Sequence, residues 1–200
     1  MRLETMTGAD LIACLPALAR LRIEVFRAWP YLYEGNDTYE RAYWQSYASC
    51  PRAAVIVAWD GDEPVGASTC MPLEEAEAAI TEPFRNRGWE PSRFFYFGES
   101  VLRAEYRGKG VGVAFFAARE AHALRVSDCD HACFCSVRRP PDHPARPPDY
   151  TPLDAFWRRR GYRPAPGLEC TMSWKDVGEA GETSKPLAFW IKALRSAAPL

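Results

Sequence analysis

The chain has 200 residues, 48% of them hydrophobic and 26% charged, and a formal net charge of −1. That composition suits a single globular domain over residues 1–200, and it lacks the basic footprint that nucleic-acid binding leaves. No uninterrupted apolar run approaches the roughly 20 residues that cross a bilayer, so a membrane span is not expected.

In chain order, Arg2 to Thr5 reads as a short strand, and Thr7 and Asp10 have capping-box spacing. Leu11, Cys14, Leu15, Leu18, Leu21 and Val25 recur at helical intervals. Pro16 fits the start of the main helix, where a missing N–H costs little. Trp29 to Asn36 reads as loop, and Thr38 to Ala48 as a second helix with Tyr39, Ala42, Tyr43 and Tyr47 on one side. Ala53–Trp59, Asp60-Gly61 and Val65–Met71 make a hairpin signal. The acidic, Ala-rich stretch Leu73–Ile80 predicts a helix, and Thr81–Ser92, with two prolines and Gly88, predicts loop. Phe94–Arg103 predicts a strand, Gly110–Arg125 a helix and His131–Val137 a strand, the two strands being parallel neighbours across a right-handed crossover. Arg138–Pro152 holds six prolines and reads as irregular loop. Leu153–Arg160 predicts a short helix ended by Gly161, and Leu168–Trp174 and Pro186–Lys192 two late strands. The order implies an α/β domain with a mixed sheet.

The stretch Arg107-Gly108-Lys109-Gly110-Val111-Gly112 carries most chemical information. It links an apolar strand to an amphipathic helix, so its backbone can approach a ligand closely and present unpaired N–H groups at a helix start, a setting that favours an anion. The nucleotide-hydrolase phosphate loop fails, because Val113 and Ala114 stand where Lys and Ser or Thr are required. The dinucleotide fingerprint fails at its third glycine, where Val113 stands.

The residues that remain, R-x-x-G-x-G within Leu102–Gly112, resemble the acyl-CoA signature of the GNAT superfamily of N-acetyltransferases. Ala155-Phe156-Trp157-Arg158-Arg159-Arg160-Gly161-Tyr162 is similar to that family's second helix motif, and the element order also matches. The resemblance implies a GNAT-type α/β fold: a mixed, mostly antiparallel central sheet with a splayed parallel strand pair, flanked by helices. It implies acetyl-CoA as co-substrate, with Arg107, Gly108, Lys109, Gly110, Val111, Gly112 and Val113 around the pyrophosphate. The main chain at Val101, Leu102 and Arg103 would then lie along the pantetheine arm. It further implies transfer to a primary amine of a small molecule, with a protein amine as the other acceptor class. A homodimer through the last strands is a family habit.

Amine transfer needs an unprotonated nucleophile, and an alkyl ammonium has a reference pKa near 10.4. Glu99, the one carboxylate inside the apolar strand, is the expected general base or water relay, against a structural reading in which it pairs with an Arg. Trp157 stands where family members carry a Tyr acid, and an indole cannot serve as one. Tyr150 is the substitute considered, and a degenerate acyl-CoA-binding sensor the alternative function. The resemblance implies an acceptor region beside the early helices, where Tyr31, Tyr33 and Glu34 are the expected contacts, with Asp37 nearby for a cationic or aromatic amine, while the helical tyrosines read as packing.

Cys129, His131, Cys133 and Cys135 have the wrong spacing for a zinc knuckle and read as small buried thiols, so no metal is expected. Seven cysteines, an odd number, argue against a disulfide framework and for a reducing cytoplasm. Glu4 and Asp10 argue against a secretory signal. Of 25 basic residues 21 are Arg, a bias read as that of a GC-rich bacterial genome.

Overall fold

Alternating burial builds the sheet. In β2 (Ala54–Asp60), Val55 and Val57 enter one apolar cluster while Ala54, Ile56 and Ala58 enter another, so both faces are covered. The computed structural model describes residues 1–195. Its elements are β1 (Arg2–Met6), α1 (Gly8–Ile12), α2 (Leu15–Phe26), α3 (Asp37–Ser49), β2, β3 (Glu63–Pro72), α4 (Ala78–Asn86), β4 (Phe94–Tyr96), β5 (Ser100–Leu102), α5 (Val111–Val126), β6 (His131–Val137), α6 (Asp154–Arg159), β7 (Arg163–Lys175) and β8 (Glu182–Ala193).

The eight strands run β1-β2-β3-β4-β6-β8-β7, with β5 paired to β3; β4 and β6 are parallel and the remaining pairs antiparallel. One face packs against residues of α2, α3 and α4, including Leu18, Leu21, Trp44, Tyr47 and Phe84; the other packs against Phe115 and Phe116 of α5 and Phe156 and Trp157 of α6. This is the mixed, mostly antiparallel sheet flanked by helices that the resemblance implies.

Four readings need correction. Phe94–Arg103 is not one strand: it breaks at Phe97-Gly98-Glu99, so that β4 pairs with β6 while β5 pairs with β3 alone. The cause is non-local. A side chain at Gly98 would meet Tyr47 and Thr69, the latter at 2.6 Å. The Thr69 hydroxyl also receives the Glu99 amide at 2.9 Å, in place of a ladder carbonyl. Leu73–Ile80 is not one helix either. Leu73–Glu75 is a 3₁₀ turn, and α4 runs into the predicted loop because Ile80 and Phe84, four apart, bury against the core despite Pro83. The late strands are longer than predicted, with β7 bulged between Pro164 and Glu169. Thr7 stands at the N-cap of α1 but makes no side-chain capping bond.

Candidate active site

The turn before α5 fits an anion. Gly108 (φ 74°) and Gly110 (φ 84°) are left-handed, a conformation that disfavours other residues, and open space surrounds both. Among the described residues, the amides of Gly108, Lys109, Gly110, Val111 and Gly112 make no hydrogen bond, and they lie at the positive end of a 16-residue helix. Val113 is a correction: its amide is spent on Gly110 O at 3.0 Å. Gly112 has a second duty, since a Cβ there would sit 3.3 Å from the Phe156 ring; its smallness lets α6 approach α5. Lys109 lies over the Tyr106 ring, and Arg107 donates Nε to Leu102 O at 3.2 Å, bracing the turn against β5.

Beyond the kink, β5 has one paired edge among the described residues. Thr69 N bonds Glu99 O and Arg103 N bonds Val65 O, both at 3.0 Å, so residues 99, 101 and 103 address β3. By strand alternation the main-chain groups of Ser100 and Leu102 face the gap toward β6. This corrects the expectation for Val101 and Arg103, whose backbones serve the ladder. The Arg103 side chain is likewise structural, pairing with Glu24 at 3.0 Å and Glu63 at 2.6 Å. From α5, buried Arg119 donates Nη1 to Glu99 O at 3.2 Å and lies 4.5 Å from the centre of Phe97, holding the kink from below.

On the opposite face the kink opens into a cavity of about 470 Å³. Tyr31, Tyr33 and Glu34 line it, as do Gly98, Glu99 and the end of β7. So do Tyr39 and Tyr43, whose place on one side of α3 predicts packing alone. Asp37 is not among the lining residues. Tyr150 lies apart from the cavity, edge-on to Trp29 at 5.9 Å, with burial pushing its phenol up. Trp157 packs against Phe134 and Trp190 at 5.1 and 5.0 Å, as an apolar residue would.

Glu99 is held by a residue that the sequence reading missed. Arg22 of α2, 6% exposed, donates Nε to Glu99 Oε2 at 2.5 Å and Nη1 to fully buried Glu40 of α3. Glu99 Oε1 has no hydrogen-bond partner among the described residues. Around the guanidinium stand Tyr43, Phe26, Tyr33 and Tyr39, with ring centres 4.6 to 5.4 Å away. Burial pushes the Glu40 carboxyl up, opposed by Arg22, and pushes the Tyr33 phenol up to about 12. A signal was available: Arg22 and Glu40 fall on the apolar stripes 18-21-22 and 40-44-47, where charges are rare unless paired.

A second buried network fixes the wall. Arg139 donates to the carbonyls of Pro30 and Tyr31 and grips Asp176 at 2.6 Å, and Lys185 reaches Asp176 at 3.1 Å. The Trp174 indole N–H bonds Tyr31 O at 3.0 Å. The loop carrying Tyr31, Tyr33 and Glu34 is thereby tied to the β7 end. Burial acts to raise the Asp176 carboxyl, but its bonds from Arg139 and Lys185 outweigh this and hold it below the usual range. His131, Cys133 and Cys135 are buried; among the described residues no group of three or more His, Cys, Asp or Glu is arranged to hold a metal ion. No described helix is long and apolar enough to cross a membrane.

Comparison with known proteins agrees with this architecture. The model of the acetyltransferase (GNAT) family matches residues 18–162. The chain belongs to the GNAT family and is an acyltransferase enzyme. Its particular acceptor does not follow from that membership. No curated protein sequence matches the chain. Among solved structures, an aminoglycoside 6'-N-acetyltransferase complexed with coenzyme A superposes with a TM-score of 0.62 at 12% identity, covering 100% of both chains. Ribosomal-protein-alanine N-acetyltransferase from Brucella melitensis gives 0.59 at 16% identity, covering 96% of this chain and 99% of that one. The yncA protein from Salmonella typhimurium, with its cofactor acetyl-CoA, gives 0.58 at 13% identity over 98% and 96%. At these identities the likeness is one of fold.

Proposed function

We propose that the protein transfers an acetyl group from acetyl-CoA to a primary amine of a small molecule, by direct attack in a ternary complex. One observation carries this reading. The kink at Gly98-Glu99 sets a carboxylate in the wall of an aromatic cavity, while the same chain continues into an open strand edge that leads to the amide cradle.

The free amides of Gly108 to Gly112 suit the CoA pyrophosphate, and the left-handed glycines leave room for it. The outward main chain of Ser100 and the outward N–H of Leu102 suit the amides of the pantetheine arm, and an N–H there polarises a carbonyl as an oxyanion donor does. When bound, acetyl-CoA supplies an acetyl group activated as a thioester. Glu99 Oε1 accepts the proton that the amine must lose, directly or through a water. The amine nitrogen gains the acetyl carbon, the carbon–sulfur bond breaks, and the sulfur takes a proton from solvent; Tyr150 and Trp157 are not assigned to that step. We read residues 1–200 as one such domain, working without metal in a bacterial cytoplasm.

Free-thiol release from acetyl-CoA across an amine panel tests the activity. Glu99→Gln should lower kcat by about 10²- to 10⁴-fold. An unchanged kcat would remove Glu99 from the mechanism.

A further inference from the structure

The cavity that holds Glu99 is furnished for one amine on an apolar body. Resting on the transfer reading above, we infer that the acceptor is an aromatic or aryl-alkyl monoamine, and not a polycationic or polyhydroxylated amine.

Charge is the first ground. The lining carries two cations, Arg22 and Lys175, and three carboxylates, Glu34, Glu99 and Glu182. Glu34 pairs with Lys175 at 2.9 Å, and Glu182 is exposed at the rim. The interior charges are therefore Arg22 between Glu99 and Glu40, which together hold at most one excess negative charge. One ammonium at Glu99 Oε1 balances it. Each further ammonium would be desolvated without a counter-charge, which is costly.

The second ground is which aromatic faces are still free. Phe26, Tyr33, Tyr39 and Tyr43 already surround the protein's own Arg22. Trp174 has Lys185 and Arg139 over it at 4.9 and 5.8 Å. The faces a ligand cation would exploit are pre-empted. Among the described residues, Tyr31 and Tyr96 line the cavity without a cation of the protein over them; one Tyr31 face is stacked on Phe26 at 4.2 Å, and the ring surface that the two tyrosines turn to the cavity is left for an apolar or aromatic body.

Hydrogen bonding is the third. The Tyr43 hydroxyl is engaged with Tyr47 and Thr69, the Tyr33 hydroxyl with Asn36 N, and the Tyr96 hydroxyl with Cys135 Sγ. A ligand bearing many hydroxyls would exchange water for few free partners.

Calorimetric titration of the full chain with CoA present, using 2-phenylethylamine, spermidine and kanamycin, tests the inference alongside thiol release from acetyl-CoA for each amine. We expect 2-phenylethylamine to bind at least about tenfold more tightly than either polycation. Glu99→Gln should weaken that amine while leaving the neutral isostere 2-phenylethanol unchanged. Equal or tighter binding of spermidine or kanamycin, or no binding of 2-phenylethylamine, overturns the assignment even if the polycation is acetylated. Binding of 2-phenylethylamine without thiol release from any amine upholds the ligand class and rejects the transfer reading instead.

Discussion

Arg22 Nε lies 2.5 Å from Glu99 Oε2, and the same guanidinium holds buried Glu40 on its other side. A side chain of the early helical layer thus sets the rotamer of the carboxylate that faces the cavity, and leaves its second oxygen open.

Removing Arg22 strands two carboxylates. Arg22→Met should cost about 3–5 kcal/mol of stability, because breaking a buried pair leaves uncompensated charge. Arg22→Lys keeps the charge but loses the fork that reaches both partners, so it should recover part of the stability and less of kcat. Urea unfolding and thiol-release kinetics on both variants separate the two effects.

The glycines of the site are predicted to differ in kind. Gly98→Ala places a methyl against Thr69 and Tyr47 and should cost about 1–3 kcal/mol by overpacking, with loss of activity as the kink shifts. Gly110→Ala meets nothing, but must hold φ 84°, at about 1–2 kcal/mol, and should weaken CoA binding. Thermal unfolding with and without CoA distinguishes them: CoA should stabilise Gly98→Ala more than Gly110→Ala.

Asp176 predicts an acid limb to stability. Its folded carboxyl is held below its unfolded value, so its contribution is complete above an unfolded pKa of about 3.9 and is lost as pH falls through the folded value. Asp176→Asn should abolish this limb, and should lower stability at neutral pH by leaving Arg139 and Lys185 unbalanced. Urea midpoints at pH 7, 5 and 3 read both effects.

Two histidines act at higher pH. His122 is lowered by burial, and its ring fits a neutral tautomer: Nδ1 accepts from Arg125 at 2.8 Å, so Nε2–H donates to Arg52 O at 2.9 Å. His131 is lowered by burial too, with Arg93 adding to the effect. Both folded values lie below the unfolded one, so stability should be complete above about pH 6.5 and decline as pH falls from there toward the folded values. His122→Gln should shrink that decline, measured as the difference in urea midpoint between pH 7.5 and 5.5.

The sequence was most legible where local pattern and burial agree. β6 occupies His131–Val137 as predicted, since a short β-rich apolar run bounded by turn residues has few other uses. The loop before α5 was legible because glycine alone adopts the positive φ of Gly108 and Gly110 at little cost. The break between β4 and β5 was not: Gly98 is read as a defect only once Tyr47 and Thr69, far away in sequence, are known to crowd it. α4 was hidden by Pro83, whose local cost is overridden by the burial of Ile80 and Phe84. Glu99, Tyr31, Tyr33 and Glu34 are singled out by residue type together with the family resemblance, and all four line the cavity. The cage around Arg22 is not, because its rings come from two helices and a loop whose packing no local signal encodes.

The internal pairing of Arg22, Glu40 and Glu99, with Glu34 matched to Lys175, has a kinetic corollary. With at most one excess negative charge inside and Glu182 exposed at the rim, the cavity projects only a weak potential into solvent. Acceptors should therefore arrive by unassisted diffusion, and the encounter rate should change little between low and high ionic strength.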